Sequence, residues 1–370
     1  MRQHWLSIVF LMLLGPALLA QQRLVLRDTT LVKGVIQVQN PDGVTILEDG
    51  KTKSFGWDEI ESGVAANQAQ FDSLLRDIGD PLFRIRQRLK SGDYQEMASQ
   101  AEKLFPLFAD RNSATAEAVC FATHLARDQK HEREMALEPL LVFLALKSVA
   151  GNAPESRFVA AGSRKITVLP SGFAQEFSPV FFGRAAARAA LPGVMRWVEK
   201  WPGGKPSLGA RVYAATLAIC AGDEAIANTV QASLRNMPGS EEWLVVLAAQ
   251  REIEAGKAGE AVEQLLAKME TMTEPARMVA LYWNGMARLK GAPPNRAAVI
   301  ALLSLPAKYP TASTELSAAC LYHAATVLEK NLDARATVAL RKELLTRFRF
   351  TSFGSRLARE STLPNPGGLR

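Results

Sequence analysis

Cys120, His124 and His131 are the residues whose types could hold a transition metal. On an unbroken helix their offsets of four and eleven residues would place all three on one side. A helical break expected near Lys130 takes His131 off that face. The run His131-Glu132-Arg133-Glu134-Met135 also lacks the second histidine of a zinc-protease helix. No metal and no cofactor is therefore expected. Cys120, Cys220 and Cys320 each lie in an apolar helical run and read as small hydrophobes, with a bridge between two of them as the alternative in an oxidising compartment. There is no Gly-x-Ser-x-Gly elbow. Gly203-Gly204-Lys205-Pro206 has neither the upstream glycine nor the Ser or Thr of a phosphate loop. Carboxylates are plentiful, yet no spacing singles out a pair; a glycosidase-type pair would have to be assembled from distant positions. The residues predict no catalytic set.

The elements that must position these residues are mostly helices. Gly222, Gly256, Gly291 and Asn331 each follow an apolar-periodic run, and they fall 34, 35 and 40 residues apart. Gly and Asn tolerate the left-handed conformation that ends a helix, and a period of this length with a helix–turn–helix pattern marks a repeat array. The stretch from Glu241 to Ser352 holds three similar helix pairs. Leu281-Tyr282 corresponds to Leu321-Tyr322, and Tyr309-Pro310-Thr311-Ala312-Ser313 to Phe348-Arg349-Phe350-Thr351-Ser352. Ala215, Ala249 and Ala324 lie seven residues before a turn residue, and Ala227, Ala261 and Ala336 five after one, where paired helices must approach closely.

These units resemble tetratricopeptide repeats. Gly92-Asp93-Tyr94-Gln95-Glu96 is similar to that family's inter-helix turn. Lys308 to Ser313, followed by Leu316 to Glu329, looks like the repeats of bacterial cell-envelope assembly and coordination proteins. Val245 and Cys320 stand where the family often has Trp, and Met97 where it has a small residue. The resemblance covers about half the chain. It implies a mainly α fold, an α-solenoid of antiparallel helix pairs preceded by a small β-barrel-like module.

In chain order, residues 1–20 read as a signal peptide. Arg2 and His4 precede the apolar run Trp5 to Leu14, Gly15-Pro16 breaks it, and Ala17-Leu18-Leu19-Ala20 offers a cleavage site after Ala20, with Ala17 as the second candidate. The run is shorter than the ~20 residues a spanning helix needs, so no stable membrane span is expected after cleavage, an uncleaved anchor being the alternative. Residues 21–63 read as a small β-module. A strand runs from Arg23 to Asp28, and a long strand from Leu31 to Asn40 carries Ile36 and Val38 on one face. A return follows from Val44 to Glu48, then a hairpin at Asp49-Gly50, a strand from Lys51 to Trp57, and a helical turn closes the unit at Trp57 to Ile60. The pattern resembles small SH3-like or Sm-like barrels, docked on the first helices because ~40 residues is the size limit for an independent core.

Residues 64–149 should form N-terminal helical repeats, with a break at Gly79-Asp80-Pro81 capped by Asp80. Residues 150–179 read as an irregular insertion with a short strand at Lys165 to Leu169. A loop this long is either a binding loop or a packed cover for the repeat edge. Residues 180–206 read as a helix pair broken at Pro192-Gly193, followed by a linker. Residues 207–360 carry the regular repeats, and 361–370 a disordered tail.

The net charge is +7. From Ala334 onward eight basic residues face only Glu343 and Glu360, so the excess is concentrated at the C-terminal end. That end could meet an anionic envelope polymer, or be a solvated helix face. Nucleic acid is not expected as a partner for an exported protein of this modest excess. The expected function is a non-enzymatic scaffold in the periplasm or outside the cell, binding envelope proteins. Tyr282, Trp283, Tyr322, Arg341, Arg347 and Arg349 are the candidate partner contacts; for the aromatic three, filling the interface between units is the competing role. The alternative function is an α-solenoid enzyme or binding module for envelope polysaccharide or peptidoglycan.

Overall fold

A computed structural model describes residues 22–150, 164–257, 259–291, 296–311, 313–330 and 333–362. The expected signal peptide, the first part of the insertion, the turn residue Asn331 and the end of the tail lie outside these. The described chain is mainly helical after an N-terminal β region. It divides into two compact units, the first ending at Ala122 and the second beginning at Thr123.

The first unit opens with six strands: β1 (Arg23–Leu26), β2 (Leu31–Lys33), β3 (Val35–Asn40), β4 (Gly43–Glu48), β5 (Lys51–Phe55) and β6 (Ile60–Val64). They form two antiparallel sheets, ordered β2-β1-β6 and β3-β4-β5. The expected barrel is not closed. The two sheets share no ladder among the described residues, and β5 is an edge whose exposed Lys51 and Lys53 discourage further pairing. The Asp49-Gly50 hairpin is as expected, with φ of 48° and 78°, the two positive values of a type I′ turn. Strand β6, unexpected from the sequence, pairs with β1. Ile36 and Val38 do not share a face: the register shifts between them, and Val38 is 45% exposed.

The module docks on helices of its own unit. Trp57 is fully buried, meets Phe71 edge-on at 5.3 Å, and donates its indole N–H to the Asn40 carbonyl at 2.6 Å. Those helices are α1 (Gln68–Leu74), α2 (Asp80–Ser91) and α3 (Ala98–Phe108). The break expected at Gly79-Asp80-Pro81 is absent. A π turn at Leu75–Gly79 carries α1 directly into α2, and Asp80 binds Arg27 at 2.6 Å instead of capping. Buried Asp58 takes Arg86 at 3.0 Å, which adds an ion pair between the 3₁₀ turn after β5 and α2.

Helix α4 (Ala114–Gln129) contains the division between the units, and α5 (Arg133–Ala150) follows. The second unit continues with α6 (Arg184–Glu199), α7 (Leu208–Ala221), α8 (Glu224–Leu234), α9 (Glu241–Glu254), α10 (Glu260–Lys268), α11 (Glu274–Gly291), α12 (Arg296–Lys308), α13 (Thr314–Lys330), α14 (Ala334–Arg347) and α15 (Ser352–Thr362). Helix α6 runs through Pro192, where a break was expected. One lost backbone hydrogen bond is offset by burial of Ala187, Leu191 and Val194 and by the Arg196–Glu138 pair at 2.7 Å.

From α5 to α8 and again from α9 to α15 each helix packs on the next, and α7, α9, α11, α13 and α15 also touch one another in that order. They form one row, while α10, α12 and α14 each lean on two of its members. At Gly222 and Gly256 the turns fall where the spacing predicts, whereas Gly291 is the last residue of α11 itself. Gly92, Gly222 and Gly256 take φ of 72–74°, and each following residue donates its N–H back to the preceding helix. Asp223 and Asp333 then cap α8 and α14, at 3.0 and 3.1 Å. Ala215, Ala227, Ala249 and Ala324 are fully buried, and Ala261 and Ala336 half-buried, so small residues do sit where helices approach.

Candidate binding cleft

The described part of the insertion, residues 164–179, continues through residue 183 as a strap laid along the helix row of the second unit. Its only bridge joins Val168 and Ala174, so the strand expected at Lys165 to Leu169 reduces to a narrow turn closed by Leu169 N–H to the Phe173 carbonyl at 2.8 Å. Three phenylalanines anchor it. Phe173 stacks on Trp243 of α9 at 4.7 Å and meets Tyr213 of α7 edge-on at 5.6 Å. Phe177 packs against His124 and Tyr213, and Phe182 against Tyr282 of α11 and Phe353 of α15.

A buried segment without a ladder must satisfy its backbone by other means. Side chains do this here. Buried Arg133 donates Nε to the Val180 carbonyl at 3.0 Å and Nη2 to the Ser178 carbonyl, while its guanidinium lies 3.8 Å over the Phe177 ring. Glu134 accepts the N–H groups of Phe182 and Gly183 at 2.8 and 2.7 Å, which places a carboxylate at the start of α6. The Tyr213 hydroxyl donates to the Phe177 carbonyl and accepts the Ala174 N–H at 3.2 Å; burial pushes its ionisation above the ordinary tyrosine range. Ser178 and Ser313 share a hydroxyl contact at 2.8 Å. Arg164 binds Asp128 at 2.8 Å. Close approach is allowed by glycine on both sides: a Cβ on Gly209 would lie 2.4 Å from the Gly172 carbonyl oxygen, and Gly172 itself has φ of 83°.

Between the strap and the starts of α7, α9 and α11 lies a cleft of about 520 Å³. Phe173, Phe177, Leu208, Trp243 and Met278 supply apolar walls, and among the described residues Glu242 and Glu274 are the only charged ones that line it. Glu242 is engaged by Thr273, whose N–H it accepts at 2.8 Å and whose hydroxyl it also accepts. Glu274 is exposed in the first turn of α11. The volume is in the usual range for a ligand pocket.

The candidate metal residues do not converge. His124 is buried, bound through Nδ1 to the Ala136 carbonyl at 2.9 Å, and burial pulls its pKa down to about 4. His131 sits past the end of α4 at φ 63°, with Nε2 against Ser355 at 2.8 Å, so the helical break does remove it from the face. Cys120, Cys220 and Cys320 are buried free thiols, and burial pushes Cys220 up to about 12. Among the described residues, no group of three or more His, Cys, Asp or Glu is placed to hold a metal.

The candidate partner contacts separate. Tyr282 and Trp283 are 3% and 2% exposed and fill the packing between helices, which takes them out of a partner's reach. Tyr322 is half-buried, donates to Glu360 at 2.9 Å and lies under Arg356. Arg341 pairs with Glu329 at 2.8 Å, and Arg347 with Glu343 at 2.7 Å. Arg349 stacks over Phe350, which is 68% exposed. None of the six lines the cleft. Trp243, Met278, Glu242 and Glu274 carry it instead. Their signal was the repeat register, since Glu242-Trp243 and Glu274 open the first helices of successive units.

No family model matches this chain, and neither a curated protein nor a solved structure matches it. No described helix is long and apolar enough to cross a membrane.

Proposed function

We propose that the chain is a non-enzymatic interaction scaffold, exported to the bacterial cell envelope, that binds a protein partner through its helix row. On this reading the second unit is a tetratricopeptide-like solenoid and the strap contributes one wall of its binding groove. The observation that carries the reading is the apolar cleft between the strap and the starts of α7, α9 and α11. Stacked helix pairs present such extended surfaces, and an apolar wall with few polar groups suits side-chain capture. The test is site-specific photocrosslinking in the producing cell. A photoreactive residue at exposed Gln175, on the cleft wall, should trap a reproducible envelope protein, whereas one at exposed Lys257 should not. Equal or absent trapping at both positions would defeat the proposal. N-terminal sequencing of the exported chain tests removal of residues 1–20.

A second reading has one observation in its favour. Glu242 and Glu274 are two carboxylates on one cleft, as a polysaccharide- or peptidoglycan-acting enzyme would need. It predicts that the purified chain releases soluble fragments from envelope glycan and that Glu274→Gln abolishes the release. Fragment release undiminished in that variant, or no release by the parent chain, would defeat this second reading.

A further inference from the structure

We infer that the cleft takes one large apolar side chain of an extended peptide, with a basic residue beside it. The inference rests on the scaffold reading and deepens it.

Three features of the second unit point this way. The walls are aromatic and aliphatic, and several of their side chains, Phe173, Phe177, Leu208, Trp243 and Met278, are buried without filling the space. A ring entering there leaves water at little polar cost. The strap already demonstrates the chemistry that this row accepts: it is an irregular segment outside any sheet whose Phe173, Phe177 and Phe182 lodge against Tyr213, Trp243 and Tyr282. The cleft is lined by two of these phenylalanines and by Trp243. The third feature is charge. Among the described residues the lining includes no Lys or Arg, and its two charged members are both glutamates. Glu242 is occupied by Thr273, which leaves exposed Glu274 to meet a cation at the mouth. An acidic flank on the incoming peptide would face like charge; a basic one would face its complement.

The test is selection of random heptapeptides on the purified, exported chain, followed by binding of the winners as synthetic peptides. Enriched sequences should place Phe, Trp or Leu next to Lys or Arg. Their Kd should rise at least tenfold on Met278→Trp, which fills the cleft. Because that variant alters a buried residue, its melting temperature is checked, and the exposed substitution Glu274→Lys gives an independent readout. Selection on Glu274→Lys should shift the flanking preference from basic to acidic. Enrichment of acidic or non-apolar peptides on the parent chain, equal binding to the filled variant, or no enrichment overturns the inference. The scaffold reading is judged separately by crosslinking through Gln175. If the envelope protein is still trapped by a folded Met278→Trp chain, the scaffold stands and this anchor does not.

Discussion

The β-module of the first unit and the strap of the second are both non-helical, and each is built on a different solution to the same requirement. In the module, ladders satisfy the backbone, so faces can be left open: Leu31, Val35 and Val38 are exposed even though they are apolar. In the strap, one bridge is all the pairing there is, and Phe173, Ala174 and 177–181 are buried nonetheless. The backbone there depends on hooks sent from other elements, from Arg133, Glu134 and Tyr213. Regular pairing lets a segment be stable with little burial. Irregular burial makes a segment depend on a few remote side chains.

That contrast can be broken most forcefully at its two anchors. Trp57→Ala removes the module's buried indole and its bond to Asn40, and should cost the first unit about 3–5 kcal/mol in urea unfolding. Arg133→Met keeps bulk but takes the guanidinium donors from two buried carbonyls, of which Ser178's keeps the Val180 N–H, and should cost the second unit about 3 kcal/mol. An unchanged midpoint for Arg133→Met would mean the strap is held by its phenylalanines alone. The pH dependence of stability comes next. His124 and His323 each have a folded pKa pulled down to about 4 by burial, below the ordinary 6.5. A depressed folded value means the unfolded chain binds more protons between those limits, so their stability contribution is complete above pH 6.5 and is lost as pH falls towards 4. His323→Phe should flatten part of that acid limb by about 2 kcal/mol; a limb of unaltered slope would assign it elsewhere. The smallest effect expected is Glu134→Gln, about 1 kcal/mol, seen as faster hydrogen exchange at Phe182 and Gly183 with the β1–β6 amides unchanged.

What could be read from the sequence divides along the same line. Gly92, Gly222 and Gly256 announced their turns because a left-handed cap is decided by one residue and its immediate neighbours. The Asp49-Gly50 hairpin was legible for the same reason. Strand β6 was not, because Ile60–Val64 becomes a strand only by meeting β1, nearly forty residues away. The breaks expected at Pro81 and Pro192 did not occur: local cost there is outweighed by packing that a local pattern does not contain. The cleft was the least legible feature. The sequence marks the insertion as a binding loop or a packed cover, and its described part covers the row while walling a cavity. The residues opposite it come from three helix starts whose proximity follows from the row, and aromatic content alone pointed to Tyr282 and Trp283, which the packing consumes.

The hydroxyl contact between Ser178 and Ser313 has a consequence for the order in which the chain can be assembled. Its partners are 135 residues apart, and His131 meets Ser355 across 224. A chain made from its N-terminus therefore presents Ser178 and Phe182 long before Ser313, Tyr282 and Phe353 exist to receive them, whereas Phe173 and Phe177 meet Tyr213 and Trp243 much sooner. During that interval the last residues of the strap are an unguarded apolar segment, the kind that chaperones hold and that aggregates form from. Truncation before α15 would leave Phe182 without Phe353, so the last helix serves that end of the strap as its late-arriving shelter.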